Sequence, residues 1–481
     1  MGLRRIAGHK FVLAPVILLV VAGLVAGFLT GTFSSAARRG MYATGLLSDG
    51  GASTLPPGAF ERPTAPRTPE PEPPGAPPAV LAPVTAVPPS KAKSVAAKVN
   101  GVKRAGGTGT FSGSVMDAGT GKVLYAKNAT KGYIPASTMK VLTATAGLSI
   151  LGPQHRFSTR VVSAGKGQIT LVGGGDPYLM ATRSRTDPDR ASLAQLAQAT
   201  ADRLKKSGVT RVRLGYDVSL FSGPSWHPDW PTFYSDQVTP ISPLWVNEGR
   251  VAGASGPRVA NAPKAAADSF AGALRARGIK VSSVKKTGPA KKATPVASVQ
   301  SLPLDRIVER LLMVSDNDAS EIVFRQAAIG AGQPGSFDAA RKVVRDRLVK
   351  LGAWDKSARI RDGSGLSRKN KVPADVMVKA LRQALRPEHP ELRAVLTGLP
   401  VAGVEGSLRR RFTAEEATAG RGLVRAKTGT LNQVSSLAGY SRTHDGSLLV
   451  YAFLVNGATD YSATRAWLDR VTGTISTCGC R

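Results

Sequence analysis

Cysteine is almost missing from this 481-residue chain: Cys478 and Cys480 are the only two. Two thiols exclude a disulfide scaffold and are too few for a closed structural zinc site. Aromatic residues reach only 6% and no zinc-finger spacing occurs, so surfaces for stacking nucleic-acid bases are scarce. Carboxylates are short as well, 32 Asp+Glu against 65 Lys+Arg, which leaves a formal charge of +33. All but six of those excess charges lie beyond residue 100, so the basicity belongs to the globular part and not to a tail. Such a field suits anionic cell-surface polymers or a membrane, or is simply a solvated surface; charge alone chooses no partner. Also missing are a G-x-S-x-G elbow, an H-E-x-x-H pair and a G-x-x-x-x-G-K-[ST] loop. The five histidines are scattered, which leaves a histidine-based hydrolase unsupported. No metal and no other cofactor is implied.

What is present is an ordinary globular composition, 42% hydrophobic and 20% charged, with chain enough for two or three domains. The ends differ from the rest. An apolar run from Phe11 to about Phe33 follows Arg4, Arg5 and Lys10. Its length and its basic flank favour a signal anchor over a cleaved signal peptide, and both place the remainder outside the cytoplasm. We therefore assign residues 1–36 to a membrane anchor or signal and 37–99 to an extracytoplasmic linker, since 13 of the 33 prolines fall between 51 and 90. Extended at roughly 3 Å per residue, those forty residues would reach on the order of 100 Å. At the other end, Cys478-Gly479-Cys480 suits a small local disulfide.

Three short motifs carry chemistry: Ser137-Thr138-Met139-Lys140, Ser315-Asp316-Asn317 and Lys427-Thr428-Gly429-Thr430. S-x-x-K also begins at Ser90, Ser163, Ser282 and Ser283, and a second K-T-G lies at Lys286-Thr287-Gly288. Context selects the copies. Ser137 follows Pro135 and opens an apolar run, Val141 to Leu148, that reads as a buried helix. Positions i and i+3 share a helix face, so Lys140 reaches the Ser137 hydroxyl, and the helix N-terminus adds N–H groups beside it. Ser315-Asp316-Asn317 falls between two helical patterns, with Asp318 and Glu321 spaced as a capping box for the second. Lys427 to Thr430 reads as a strand followed by Val434–Ser441, an Asp445-Gly446 turn and Ser447–Val455. Gly429 is expected to leave room for substrate backbone along that strand.

With Gly173-Gly174-Gly175-Asp176-Pro177, Asp362-Gly363-Ser364-Gly365-Leu366-Ser367 and Ser435-Ser436-Leu437-Ala438-Gly439-Tyr440, these motifs resemble the D-alanyl-D-alanine carboxypeptidase/endopeptidase family. These are the low-molecular-mass class C penicillin-binding proteins, peptidase family S13, and the resemblance covers about residues 100–481. It implies an α/β (α+β) fold of the serine β-lactamase/DD-peptidase type, an antiparallel sheet with flanking helices. The 178 residues from Ser137 to Ser315 resemble the family's inserted, strand-rich region. On that basis residues 100–152 and 299–481 form the catalytic domain and 153–298 the insert, with strands at Ile169–Val172 and Val209–Leu220 and a helix near Leu193–Lys206.

The resemblance also implies roles. Ser137 attacks the peptide bond between two terminal D-alanines of a peptidoglycan stem peptide, and β-lactam antibiotics acylate the same serine. Lys140 is the base, its proton affinity lowered by repulsion from Lys427; Ser315 passes a proton to the leaving amine; Asn317 orients Lys140. Lys427, Thr428 and Thr430 hold the terminal carboxylate, Gly429 borders the bound substrate, and N–H groups of Ser137 and Thr430 form the oxyanion hole. Trp226 and Asp229 resemble an insert segment that reaches the site, where they would contact the stem peptide's side chain. Partners are therefore stem peptides, β-lactams, anionic wall polymers and the membrane through the N-terminal segment, with no nucleic acid. Two rivals stay open: a non-catalytic wall-binding or penicillin-sensing protein, and a β-lactamase, although no E-x-x-L-N glutamate is found.

Overall fold

The computed structural model describes residues 90–165, 167–251, 256–289 and 293–478; the expected anchor and nearly all of the proline-rich segment lie outside them. The chain begins with α1 (Ala92–Gly101), β1 (Thr110–Asp117), β2 (Val123–Lys127) and, after a 3-10 turn at Ala136–Thr138, α2 (Met139–Leu151). Next come β3 (Ser158–Gly165), β4 (Gln168–Val172), α3 (Leu193–Lys206), β5 (Arg211–Asp217), α4 (Ala262–Arg275), β6 (Lys280–Thr287) and β7 (Thr294–Gln300). Four helices follow: α5 (Leu304–Val314), α6 (Asn317–Gly330), α7 (Phe337–Lys350) and α8 (Ala374–Leu385). The chain closes with β8 (Val424–Leu431), β9 (Val434–Arg442), β10 (Leu448–Asn456) and α9 (Tyr461–Ser476).

Two sheets result. The first has the order β2-β1-β10-β9-β8 and is antiparallel throughout. Its strand β10 reads Leu-Leu-Val-Tyr-Ala-Phe-Leu-Val-Asn because both faces are covered. Val450, Ala452 and Leu454 point into one core with α2, α5, α6 and α8, whereas Leu449, Tyr451, Phe453 and Val455 meet Trp467, Leu468 and Val471 of α9 on the other side. α2 lies in the middle of the first core, buried continuously from Met139 to Leu148, which explains its lack of a polar face. The second sheet, β6-β5-β4-β3-β7, is mixed: β4, β5 and β6 run parallel, with α3 and α4 as crossovers, and β3 is antiparallel to both neighbours. A full capping box at Ser192 and Gln195 starts α3.

Three features differ from the sequence reading. The folded part includes residues before 100: α1 starts inside the stretch assigned to the linker, because Val95 and Val99, one turn apart, bury against the α9 side of the first sheet. Asp318 and Glu321 form no capping box. Asp316 caps α6 by accepting the Ala319 N–H at 3.0 Å, which frees the other two carboxylates to face inward. The segment between β5 and α4 does not all stay with the second sheet: Trp230, Val238, Ile241 and Trp245 fill the first core, while Leu244 and Val246 pack in the second.

Candidate active site

The nucleophile's turn is tight. Pro135 O accepts both the Thr138 N–H at 3.3 Å and the Thr138 hydroxyl at 2.7 Å, and Ala136 takes a left-handed φ of 49°. Two glycines let neighbouring elements close on that turn. A Cβ at Gly365 would collide with the Ala136 carbonyl, and one at Gly429 with Ser436 Oγ, Pro135 O and Ser137 N. Gly429 therefore admits the turn of Ser137 against β8, which corrects the expectation that it makes room for substrate.

Within this clamp the three motifs meet as two lysine–serine pairs. Lys140 Nζ lies 2.9 Å from Ser137 Oγ, 2.7 Å from Asn317 Oδ1 and 2.8 Å from the Ser364 carbonyl. Lys427 Nζ donates to Ser315 Oγ at 2.8 Å and to its neighbour's carbonyl, Thr428 O, at 2.9 Å. Ser315 closes α5 in the left-handed conformation, φ 61°, anchored by the adjacent Asp316 N–H on Leu311 O at 2.9 Å. Asn317 uses both ends of its amide, since Nδ2 donates to Gln237 O at 2.9 Å. Thr428 is steadied by Ser407, hydroxyl to hydroxyl at 2.9 Å.

Both ammonium groups are fully buried. Burial, only partly offset by the carboxylates of Glu321, Asp316, Asp362 and Asp318, brings Lys140 down to about 8. Lys427 lies well below the ordinary lysine value, through burial first and the charge of Lys140 second. Like-charge repulsion was expected to act on Lys140; desolvation is the larger cause there, and the repulsion is felt by Lys427.

A buried frame lies behind Lys140. Glu321, one helical turn after Asn317, accepts the N–H groups of Gly363 at 3.0 Å and Ser364 at 2.7 Å, and so fixes the carbonyl that holds Lys140. Burial and Asp362 push its carboxyl up to about 8. Asp362 in turn accepts from Trp230 Nε1 at 2.8 Å, Gly365 N at 3.0 Å and Asn370 Nδ2 at 2.7 Å. The D-G-S-G spacing marked this loop as a turn; nothing in the sequence marked Glu321 as its partner.

The cleft in front of the pairs measures about 820 Å³ and is reached by Ser137, Ser315, Asn317, Thr428 and Thr430. Its far wall is the 3-10 turn Thr232–Asp236 with Gln237, and Arg368 and Asn432 flank the opening. Trp226 and Asp229 are not on the cleft. Trp226 stands edge-on to Trp230, 5.4 Å between ring centroids, and donates to Trp230 O at 2.9 Å. Asp229 is enclosed by Arg361 (2.9 Å), Ser367 (2.9 Å) and Lys369 (2.7 Å). Desolvation alone would raise that carboxyl; the three donors outweigh it and hold the group well below the usual range. The same segment instead sends Phe233, 72% exposed, and Tyr234 to the opening; an aromatic pair in the polar run Thr-Phe-Tyr-Ser-Asp was the signal available. The competing K-T-G and two competing S-x-x-K copies fall on or beside edge strand β6, and Ser163 on β3, away from this cleft.

Sheet, central helix and paired lysines define a protein of the serine β-lactamase/DD-peptidase class. Residues 96–258 and 254–476 match the D-Ala-D-Ala carboxypeptidase 3 (S13) family, and the chain belongs to that family. It is 33% identical over 431 residues to a carboxypeptidase of Mycobacterium tuberculosis, covering 85% of this chain and 90% of that one. Identity to a D-alanyl-D-alanine carboxypeptidase of Actinomadura sp. strain R39 is 28%, covering 71% and 77% of the two chains. Among solved structures, penicillin binding protein 4 from Haemophilus influenzae has the same fold, with a TM-score of 0.64 at 22% identity over 80% of this chain and 97% of that one.

Proposed function

We propose that this chain is a serine D-alanyl-D-alanine carboxypeptidase that acts on peptidoglycan stem peptides through an ester on Ser137, and that β-lactams acylate the same serine. The three acceptors around Lys140 carry this reading. An ammonium donates to all three. A neutral amine has two protons, which Asn317 Oδ1 and Ser364 O engage, and its lone pair then faces the Ser137 hydroxyl. Lys140 is thus the base that takes the proton as Ser137 Oγ bonds to the scissile carbonyl carbon. The oxyanion lies between the N–H groups of Ser137 and Thr430 on edge strand β8, where one such donor typically contributes about 10²–10³ in rate. Ser315, backed by Lys427, returns a proton to the departing D-alanine nitrogen. Thr428 and Thr430 bind its carboxylate over the buried charge of Lys427. Water then hydrolyses the ester. A cleft of about 820 Å³ suits cross-linked peptides as well, so DD-endopeptidase work belongs to the same proposal. So does an extracytoplasmic placement, tethered through residues 1–36.

The test is intact-protein mass spectrometry after benzylpenicillin, on wild type and Ser137→Ala, beside D-alanine release from a stem peptide. A lasting single adduct and D-alanine release, both absent in the variant, are expected. A folded wild type with neither adduct nor release would leave a wall-binding pseudoenzyme, and rapid drug destruction without adduct would leave a β-lactamase.

A further inference from the structure

Helices cover one face of the second sheet; on the other, Val162, Thr170, Val172 and Asp217 are buried and the cations stand around them. α3 and α4 pack against Val161, Ile169, Leu171, Val212, Leu214 and Val281. Strand residues alternate between faces, so the opposite face carries Arg160 of β3, Arg211 and Arg213 of β5, and Lys280 and Lys285 of β6. No helix among the described residues packs on it. All five cations are exposed. None is ion-paired among the described residues. Asp217, which shares the face at the end of β5, is buried and accepts the Ser219 N–H at 2.8 Å.

Solubility does not explain this placement. Arg211 and Lys280 are direct register partners on adjacent strands, an arrangement that costs stability. Lysines guard exposed sheet edges, which accounts for Lys280 and Lys285 on edge strand β6. Arg160, Arg211 and Arg213 lie on interior strands, where no edge needs guarding. Arginine's planar fork matches phosphate oxygens in pairs. None of the exposed large apolar side chains belongs to these strands, so the face has nothing to insert into a bilayer. Strands about 4.8 Å apart, with same-face side chains about 7 Å apart along each, make Arg211, Lys280, Arg213 and Lys285 a run of cations along β5 and β6 that a repeating anion can follow, with Arg160 farther off, in the row of Val172 and Asp217.

We propose that this face binds a linear cell-wall polymer with phosphodiester groups along its chain and so docks the enzyme beside its substrate. The choice of a wall polymer rests on the peptidase reading above. The test compares the full chain with its Arg160→Gln, Arg211→Gln, Arg213→Gln, Lys280→Gln, Lys285→Gln variant. Each is sedimented with native Gram-positive walls, with walls stripped of phosphodiester polymer by hydrofluoric acid, and with phosphatidylglycerol/phosphatidylcholine vesicles. Wild type should bind native walls and weaken about tenfold or more between about 0.05 and 0.2 M salt, as an unburied ionic contact does. The variant should bind native walls about tenfold less well, match wild type on stripped walls and vesicles, and release D-alanine from a soluble stem peptide at the wild-type rate. Equal binding of both proteins to native walls, or wild-type binding that survives stripping, overturns the proposal. A loss confined to vesicles overturns it in favour of membrane. Salt-sensitive wall binding by a protein that releases no D-alanine would leave the docking surface standing and remove the peptidase reading.

Discussion

An amine closed off from water gives up its proton more readily than one in solvent, and Lys140 reaches about 8 for that reason. At pH 7 roughly a tenth of such groups are neutral. Acylation by a β-lactam should therefore climb as pH rises towards 8 and level off above it, measured as the second-order rate on free enzyme. Lys140→Ala should lower that rate by about 10²–10⁴ and flatten the climb. Of the carboxylates around Lys140, Glu321 is the one whose charge would favour its ammonium most. Its own carboxyl is pushed up to about 8, so it carries little charge at pH 7, and Glu321→Gln should leave the climb nearly in place while the plateau falls, because one of the Gly363 and Ser364 N–H groups loses its acceptor. A climb moved to lower pH in a folded Gln variant would show instead that Glu321 acts on the lysine through its charge. Asp229 behaves oppositely: held low in the folded state, it contributes stability that is full above about pH 4 and is lost as pH falls further. Asp229→Asn should lower the melting temperature at pH 7, by loss of about 1–3 kcal/mol, and leave acylation by benzylpenicillin near wild type.

Elements meet at Ser137 with no spare volume. β8 approaches through Gly429 and the Asp362–Ser367 loop through Gly365, so one added methyl at either position pushes the nucleophile's turn away from its lysine. Gly429→Ala should reduce acylation by at least about 10²-fold, a loss a misplacement near 1 Å can cause, while the protein still melts cooperatively. These elements were largely readable in advance. α3, β4, β9 and β10 follow period and turn chemistry, and helix spacing put Lys140 beside Ser137, whereas the pairing of Lys427 with Ser315 had no local signal. What escaped depends on contacts across the chain. Asp318 and Glu321 have capping-box spacing, yet their partners are Thr239 N and the Gly363 and Ser364 N–H groups, dozens of positions away. Gly429 looked like an approach for substrate because its real neighbour, Pro135, is 294 positions earlier.

At the scale of the whole folded part, the insert is not a detachable appendage. Trp230 and Trp245 sit in the first core, and Trp230 also donates to Asp362. Calorimetry of the intact chain should therefore show the two sheets melting in one transition; two well-separated transitions would contradict this packing. Sequence placed residues 153–298 in an insert because its strand pattern is local, whereas the return of Trp230, Val238, Ile241 and Trp245 to the first core is a tertiary choice that periodicity does not record. The return has a mechanical side. The Asn317 amide is one rigid plane with the Lys140 ammonium on its oxygen and the Gln237 carbonyl on its nitrogen. The wall of the cleft and the base are therefore only one side chain apart: the backbone of Gln237, just past the Thr232–Asp236 turn, and the Lys140 amine are tied to opposite ends of the same amide.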